Sequence, residues 1–136
     1  NLVFSWAVMV SSNRVGLWVA NIKNAPYFLP SWDISFSIDF DGEPAYNEIQ
    51  GKWRTEEPYA VIHRMAFNKN FRGMGLAGIN FKLIEELCIK NNVRNIRIDT
   101  DSLNEHMQYI LERNGYGNCG VINFQGSEKL AFDKSF

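Results

Sequence analysis

The sequence is short of cysteine, of net charge and of long apolar runs, and each shortage excludes a class of protein. Its two cysteines, Cys88 and Cys119, cannot form a disulfide framework. No apolar stretch approaches the ~18 residues of a transmembrane helix and no signal peptide is apparent, so we expect a cytoplasmic protein without a membrane partner. A formal net charge of −1 provides no general attraction to nucleic acid.

Signatures of metal binding and of serine catalysis are also missing. With only His63 and His106 and no Cys-x-x-Cys pair, the sequence predicts no metal site. No Gly-x-Ser-x-Gly segment is present, so a serine on a strand-to-helix elbow is not expected. The 136 residues, 46% of them hydrophobic, are enough for one domain with a real core, and we assign residues 1–136 to a single domain.

The most informative stretch reads as a strand, a basic loop, a glycine-rich turn and a long helix. Ala60–Phe67 is an apolar run of strand length. The turn contains Arg72–Gly78, and apolar residues at helical spacing continue from it to Lys90. Free backbone N–H groups and the dipole of a helix N-terminus suit a phosphate group. The stretch therefore predicts a phosphate-binding turn.

The glycine turn fits two nucleotide-binding patterns. Gly73–Gly78 spells Gly-x-Gly-x-x-Gly, and Asp99 follows about 20 residues later, as in dinucleotide-binding folds, where such a residue contacts a ribose. Arg72, Gly75 and Ala77 spell Arg-x-x-Gly-x-Ala, which resembles the acyl-CoA pyrophosphate loop of the GNAT N-acetyltransferase superfamily. A purely structural glycine turn is the third interpretation.

Three observations favour the acetyltransferase resemblance over the dinucleotide pattern. A dinucleotide fold runs its strand almost directly into the first glycine, whereas Asn68–Arg72 intervene here. Too few residues follow Asp99 for the remaining βαβ units of a doubly wound sheet. No strand–helix repeat precedes Ala60 to supply them.

The pattern from residue 33 onward predicts the order β, loop, β, α, β, α, β, β. Ser102 opens a capping box, Ser-x-x-Glu, before the second helix. A polar turn, Gln125–Glu128, joins the last two strands into a hairpin. The predicted elements are strands Asp33–Asp41, Ala60–Phe67, Val93–Thr100, Tyr116–Phe124 and Lys129–Phe136, a helix ending at Asn91-Asn92, and a helix ending at Asn114-Gly115.

This order is similar to that of the GNAT core from its third strand onward. The resemblance implies an α/β (α+β) fold, with a mixed, mostly antiparallel central sheet, a splayed parallel pair and helices on both faces. In the family, helices and two strands precede the third strand. Here Leu2–Val10 predicts a strand and Val15–Ala20 a strand or a short helix, so the first thirty or so residues are atypical or incomplete.

The resemblance implies acyl-CoA-dependent N-acetylation, with acetyl-CoA as donor and a primary amine of a small molecule or peptide as acceptor. The strand would offer backbone groups to the pantetheine arm and the turn would hold the pyrophosphate. The implied cofactor-binding residues are Met65, Ala66, Phe67, Arg72, Gly73, Met74, Gly75, Leu76, Ala77 and Asn104.

An attacking amine must be neutral, so the implied reaction needs a base or a chain of water molecules. His63 in the motif strand is one candidate, and Glu48 and Glu57 in the preceding loop are weaker ones. Many family members carry a tyrosine as general acid at the position of Leu111. Tyr109 lies roughly 200° around the helix from that position and cannot substitute for it.

Three further expectations stay open at the level of sequence. The missing tyrosine keeps alive an alternative function, a non-catalytic module that binds acyl-CoA as a ligand or sensor. Acidic and aromatic residues in Glu43–Glu57 suggest a cationic acceptor. The edge of the final hairpin could support a homodimer.

Overall fold

The structure, a computed structural model, describes residues 3–12, 15–23, 33–67 and 76–136. Within these ranges eight strands form one sheet, accompanied by two α-helices and a 3₁₀ helix. The strands are β1 Val3–Ser12, β2 Val15–Lys23, β3 Asp33–Asp39, β4 Gln50–Gly51, β5 Ala60–Phe67, β6 Asn95–Asp101, β7 Gly117–Phe124 and β8 Ser127–Ser135. The helices are the 3₁₀ helix Pro44–Glu48, α1 Leu76–Lys90 and α2 Glu105–Arg113.

The sheet has the strand order β1-β2-β3-β5-β6-β8-β7-β4. Only β5 and β6 are parallel neighbours among the described strands, and the other pairs are antiparallel. The predicted mixed, mostly antiparallel sheet is thus confirmed, and Val15–Lys23 is a strand. A doubly wound sheet needs several parallel crossovers. The dinucleotide-binding interpretation does not fit this topology.

The strand β3 ends two residues earlier than its alternating pattern predicts. The backbone N–H of Asp41 donates to Oδ1 of Asp39 at 2.7 Å, and Gly42 follows with φ of 85°. This local turn takes the chain out of the sheet. Ile38, one of the apolar residues of the alternating pattern, is buried at 1% exposed, as the pattern predicts.

Helix α1 packs an apolar face against the sheet. Its buried apolar side chains are Phe81, Leu83, Ile84, Leu87 and Cys88. It ends as predicted at Asn91-Asn92, where Asn92 takes the left-handed conformation with φ of 59°. The N–H of Val93 then bonds back to the carbonyl of Cys88 at 2.9 Å, which satisfies one of the last helical acceptors.

The predicted start of α2 at Ser102 is wrong, because the cap is Asn104. Oδ1 of Asn104 accepts the N–H of Met107 at 3.0 Å. Asp101 first turns the chain: its Oδ1 accepts the N–H of Leu103 at 2.8 Å, and its carbonyl accepts the N–H of Asn104 at 3.0 Å. Ser102 is part of this turn, one full turn before the helix can begin.

Each face of the sheet carries its own apolar cluster. α1 and α2 both contribute to the first cluster, together with Ile62, Ile96 and Ile98. The second cluster contains Tyr46 from the 3₁₀ helix, Trp53 and Val61. Helical elements therefore cover both faces, although the described helix on the second face is a single 3₁₀ turn.

The segment predicted as an irregular acidic loop, residues 43–58, is partly ordered structure. It forms the 3₁₀ helix and then β4, which pairs with β7. Its aromatic residues belong to the core, since Tyr46 is 0% and Trp53 is 5% exposed. Burying these rings fixes the segment against the sheet.

The last hairpin turns in two residues rather than the predicted four. Phe124 pairs directly with Ser127, and Gln125 and Gly126 have φ of 52° and 77°. Positive φ at both central residues is the geometry that matches the twist of a two-residue hairpin. No helix in the described ranges is long and apolar enough to cross a membrane.

Candidate active site

The strands β5 and β6 separate after three residue pairs. Ala60, Val61 and Ile62 pair with Ile96, Arg97 and Ile98, and no pair follows, although β5 continues to Phe67 and β6 to Asp101. The edge of β5 that faces β6 beyond Ile62 therefore has no partner strand in the described part of the chain. Backbone N–H and C=O groups there are available to a ligand.

His63 is a β-bulge at the point where the two strands separate. On the other side of β5, Ile38 of β3 pairs with Ile62 while Ser37 pairs with Arg64, so His63 is the extra residue. A bulge bends its strand and changes the direction of a side chain, and bulges are over-represented beside active sites.

A cleft of about 170 Å³ occupies the gap between the separated strands. Its lining combines residues of β5, β6 and α2 with the cap of α2. The lining residues are Ile62, His63, Ile98, Asp99, Thr100, Asn104 and Met107. The structure thus brings together His63 and Asn104, which sequence patterns singled out independently.

The other two candidate bases lie elsewhere. Glu48 is exposed at the end of the 3₁₀ helix and is not among the residues that line the cleft. Glu57 is exposed and lines a different cavity, of about 420 Å³, together with Arg94, Asn95 and Phe136. Of the three candidates, His63 alone lines the cleft.

A carboxylate accompanies His63. Nε2 of His63 lies 3.7 Å from Oδ2 of Asp39, whose side chain is 14% exposed, while the imidazole is 25% exposed. The other oxygen of Asp39 is held by the N–H of Asp41. A proton taken up by His63 would therefore create an ion pair with a carboxylate of fixed orientation.

Asp99 brings a second carboxylate to the cleft. The hydroxyl of Tyr46 donates to its Oδ2 at 2.7 Å. Burial raises the pKa of Asp99 above its usual value, although this hydrogen bond and the charges of His63 and Lys129 act in the opposite direction. Burial also raises the pKa of Tyr46, with Asp99 adding to the effect, so the phenol is a neutral donor.

Tyr46 is held in place by aromatic neighbours. Nε1 of Trp53 donates to the carbonyl of Tyr46 at 2.9 Å, and the two ring centroids are 5.2 Å apart. The guanidinium of Arg97 lies between Trp53 and Tyr59, at 4.4 Å and 3.9 Å from their ring centroids. Its Nη2 donates to the carbonyl of Thr55 at 2.8 Å. Arg97 thus anchors the segment that carries Tyr46.

The remaining predicted residues divide between described and undescribed parts. Met65, Ala66 and Phe67 pair with β3 on one side and have no described partner strand on the side of β6. Leu76 and Ala77 begin α1. Arg72, Gly73, Met74 and Gly75 lie outside the described residues. Leu111, at the position of the family's tyrosine, is fully buried, and Tyr109 is 57% exposed and does not line the cleft.

Sequence analysis missed Asp39 and Tyr46 and gave Asp99 a role only in the dinucleotide alternative. One signal was available for Asp99. Charged residues alternate with isoleucines along β6, at Arg97, Asp99 and Asp101, which indicates a polar face opposite the apolar one. No local pattern marks Tyr46, whose partner is distant in sequence.

Comparison with known proteins gives a consistent family. The family model described as "Acetyltransferase (GNAT) family" matches residues 31–116. A GNAT-family acetyltransferase from Streptococcus agalactiae is 29% identical, with a TM-score of 0.70 over 88% of this chain and 65% of that protein. No curated protein shows significant sequence similarity.

More distant structures share the fold. The aminoglycoside acetyltransferase AAC(6')-Ib, solved with coenzyme A, is 17% identical with a TM-score of 0.64, over 90% of this chain and 66% of that one. A protein from Bacillus halodurans is 14% identical with a TM-score of 0.72, over 92% of this chain and 61% of that one. The chain thus spans slightly less than two thirds of the length of these relatives.

Proposed function

This chain belongs to the acetyltransferase (GNAT) family, and we propose that it transfers an acetyl group from acetyl-CoA directly to a primary amine of a small molecule or peptide. One observation carries the proposal. β5 and β6 separate at a bulged histidine, and the resulting cleft contains His63, Asp99 and Asn104.

The residues around the cleft fit acetyl-CoA. The backbone of Met65–Phe67, on an edge with no described partner strand, offers hydrogen bonds to the amides of a pantetheine arm. Residues Arg72–Ala77 precede and begin α1, where N–H groups and the helix dipole favour a pyrophosphate. Asn104 borders the same cleft. Acetyl-CoA supplies the acetyl group as a thioester, whose thiol has a pKa of about 8.5 and leaves without a strong acid.

His63 acts as the base in this proposal. An alkylamine has a pKa near 10, like that of lysine, so it is protonated at neutral pH and must lose a proton before its nitrogen can attack. His63 receives that proton, and Asp39 stabilises the imidazolium that forms, at an Nε2–Oδ2 separation of 3.7 Å. The same histidine can return the proton to the departing thiolate.

Two measurements test the proposal. Calorimetric titration should show micromolar binding of acetyl-CoA that is lost in Gly75→Glu. Thiol release with a panel of primary amines should then show turnover that falls roughly a hundredfold or more in His63→Ala. His106→Ala is the matched control, because His106 is exposed on α2 and outside the cleft. Normal turnover in His63→Ala, together with a loss of turnover in Glu48→Gln, would identify Glu48 rather than His63 as the base.

A second function is favoured by the buried Leu111, which leaves no tyrosine at the position where many relatives have a general acid. In this alternative the protein binds acyl-CoA as a ligand without turnover. Binding of acetyl-CoA without thiol release for any amine, from about pH 6 to pH 9, would support it. A homodimer through the edge of the β7–β8 hairpin is a separate proposal, which light scattering of the purified protein tests.

A further inference from the structure

Asp99 differs from the other buried or ion-paired carboxylates around the sheet. Oxygen atoms of Asp133, Asp101 and Glu85 contact Arg54, Lys129 and Lys134, respectively. Asp99 has no such ion pair with any described residue, and its hydrogen-bond donor is the neutral phenol of Tyr46. A half-buried carboxylate that lines a cleft without a cation of its own is costly to keep charged, and a cationic ligand would offset that cost.

The geometry leaves one oxygen of Asp99 available. Tyr46 occupies Oδ2, and within the described part of the chain no donor contacts Oδ1. Lys129, the nearest lysine along the neighbouring strand, is already bonded to Asp101 at 3.3 Å. His63 shares the cleft with Asp99, so a group bound at Oδ1 would lie beside the proposed base.

Tyr46 fixes the orientation of this carboxylate. Tyr46 is 0% exposed, its carbonyl accepts a hydrogen bond from Trp53, and the ring of Trp53 stacks in turn on the guanidinium of Arg97. A side chain packed this tightly cannot follow Asp99 if the carboxylate rotates. The hydroxyl therefore selects one rotamer of Asp99.

We propose that Asp99, held by Tyr46, binds the ammonium group of the acceptor and so selects cationic primary amines. This inference rests on the proposed function and names the acceptor class of that site. The ammonium arrives protonated at Oδ1 of Asp99, and its first proton passes to His63. The neutral nitrogen then forms the bond to the acetyl carbon while the carbon–sulfur bond breaks. His63 gives its proton to the departing thiolate, then takes the surplus proton from the new amide nitrogen and releases it to solvent. Asp99 is the recognition residue, and Tyr46 is its positioning residue.

The burial of Asp99 supports this assignment. Desolvation disfavours the charged carboxylate, and Tyr46, His63 and Lys129 offset that cost only in part, while Glu43 adds to it. A bound ammonium would offset it further through a charge-assisted hydrogen bond. A neutral alcohol of the same shape would not.

The test titrates the protein with n-butylammonium chloride and, separately, with its uncharged counterpart 1-butanol. Binding is measured from the NMR chemical shifts of the backbone amides near Asp99. The ammonium should shift these signals and the alcohol should not. In Asp99→Asn the affinity for n-butylammonium should fall about tenfold or more, the effect of losing a hydrogen bond to a charged group. Tyr46→Phe should weaken it several-fold, because the carboxylate is no longer fixed.

Tyr116→Phe is the matched control for Tyr46→Phe. Tyr116 is also buried, at 3% exposed, but its hydroxyl has no hydrogen-bond partner among the described residues. Its removal should leave the affinity for n-butylammonium unchanged. Equal responses to n-butylammonium and 1-butanol, or an unchanged affinity in Asp99→Asn, would overturn the inference. If the Tyr46→Phe protein does not fold, the affinity of Asp99→Asn for n-butylammonium alone decides whether the inference holds.

The two proposals fail in different ways. Ammonium binding is measured without acetyl-CoA. If n-butylammonium binds through Asp99 but no amine is acetylated, the acetyltransferase proposal is wrong and the ammonium site stands. If primary amines are acetylated with the same KM in Asp99→Asn and in the unaltered protein, the acetyltransferase proposal stands and the ammonium site is wrong.

Discussion

Nε2 of His63 lies 3.7 Å from Oδ2 of Asp39, and the two residues meet because His63 is the extra residue of a bulge. Asp39 pairs with Val61 across the β3–β5 ladder, and the bulge follows one residue beyond Ile62. The same bulge marks the end of pairing between β5 and β6. The irregularity that opens the cleft therefore also joins the proposed base to a carboxylate.

Asp39→Asn should lower kcat about tenfold, equivalent to roughly 1.4 kcal/mol of lost stabilisation of the His63 imidazolium. The affinity for acetyl-CoA should stay unchanged, because Asp39 does not line the cleft. Steady-state kinetics and calorimetry measure the two quantities. Glu86→Gln, an exposed carboxylate on α1, is the control for loss of one negative charge. An unchanged kcat in Asp39→Asn would show that the contact has no catalytic role.

Gly51 and Gly120 pair at the edge of the sheet, where β4 meets β7. A Cβ on Gly51 would lie 2.1 Å from the carbonyl oxygen of Cys119 and 2.8 Å from the Cα of Gly120, and φ of Gly51 is 139°. Gly51→Ala should therefore lower the free energy of unfolding by about 2 to 4 kcal/mol, through overlap with backbone that cannot move away. Urea unfolding followed by tryptophan fluorescence measures the change.

Gly78→Ala is the control for this substitution. Gly78 lies inside α1, and among the described residues a Cβ there would meet only Oδ1 of Asn114, at an ordinary 3.5 Å. Alanine should raise the free energy of unfolding by about 0.5 to 1 kcal/mol, because it has the higher helix propensity. A Gly51→Ala protein as stable as the unaltered one would mean that β4 is not held against β7.

The regular elements could be predicted from the sequence because their signals are local. Alternation marked β3, helical spacing marked α1, and the residues Asn91-Asn92 marked its end. The Arg-x-x-Gly-x-Ala pattern, together with the order of these elements, indicated the family. The wrong helix start also has a local cause. The cap is Asn104 rather than the predicted Ser102, because Asp101 forms a turn that has no recognisable sequence pattern.

The site could be predicted only where its residues belong to local patterns. His63 lies in the motif strand and Asn104 at the start of a predicted helix. Tyr46, Asp39 and Asp99 contribute through a long-range hydrogen bond, strand pairing and a bulge. Bulges have no sequence signature comparable to an alternating strand. The segment of residues 43–58 was read as a loop for the same reason, since the burial of Tyr46 depends on distant partners.

Cys119 should be an unreactive thiol at neutral pH. Burial raises its pKa to about 11, and the hydrogen bond and charge of Asp133 act in the same direction. At pH 8 its thiolate fraction should be more than a hundredfold below that of a free cysteine with a pKa of about 8.5. Alkylation by iodoacetamide, followed by mass spectrometry, should be correspondingly slower in the folded protein than in urea, and should accelerate about tenfold per pH unit. Equal rates in both states at pH 8 would contradict this environment.

Asp99→Asn should make the protein more stable at pH 7, in contrast to most substitutions of a hydrogen-bonded residue. Burial raises the pKa of Asp99 in the folded state, so the folded protein binds a proton more readily than the unfolded chain. The free energy of unfolding therefore falls as pH rises from the unfolded pKa through the raised folded pKa. At pH 7 the charged carboxylate lowers this free energy, and asparagine removes the charge while its Oδ1 still accepts the hydroxyl of Tyr46. The gain should shrink as pH falls towards about 4 and vanish about one pH unit lower, where the carboxylate is protonated in the unfolded state as well.

Asp101→Asn should behave in the opposite way and serves as the control from the same strand. The N–H of Leu103 and the side chain of Lys129 lower the pKa of Asp101, so its charge favours folding at pH 7 and the contribution is lost as pH falls. Urea unfolding of both variants at pH 7 and at pH 3.5 compares the signs. A loss of stability in Asp99→Asn at pH 7 would indicate a structural carboxylate. A gain of stability in Asp99→Asn at pH 7, together with weaker binding of n-butylammonium, would indicate that Asp99 serves recognition and lowers stability. Functional sites commonly show this trade-off.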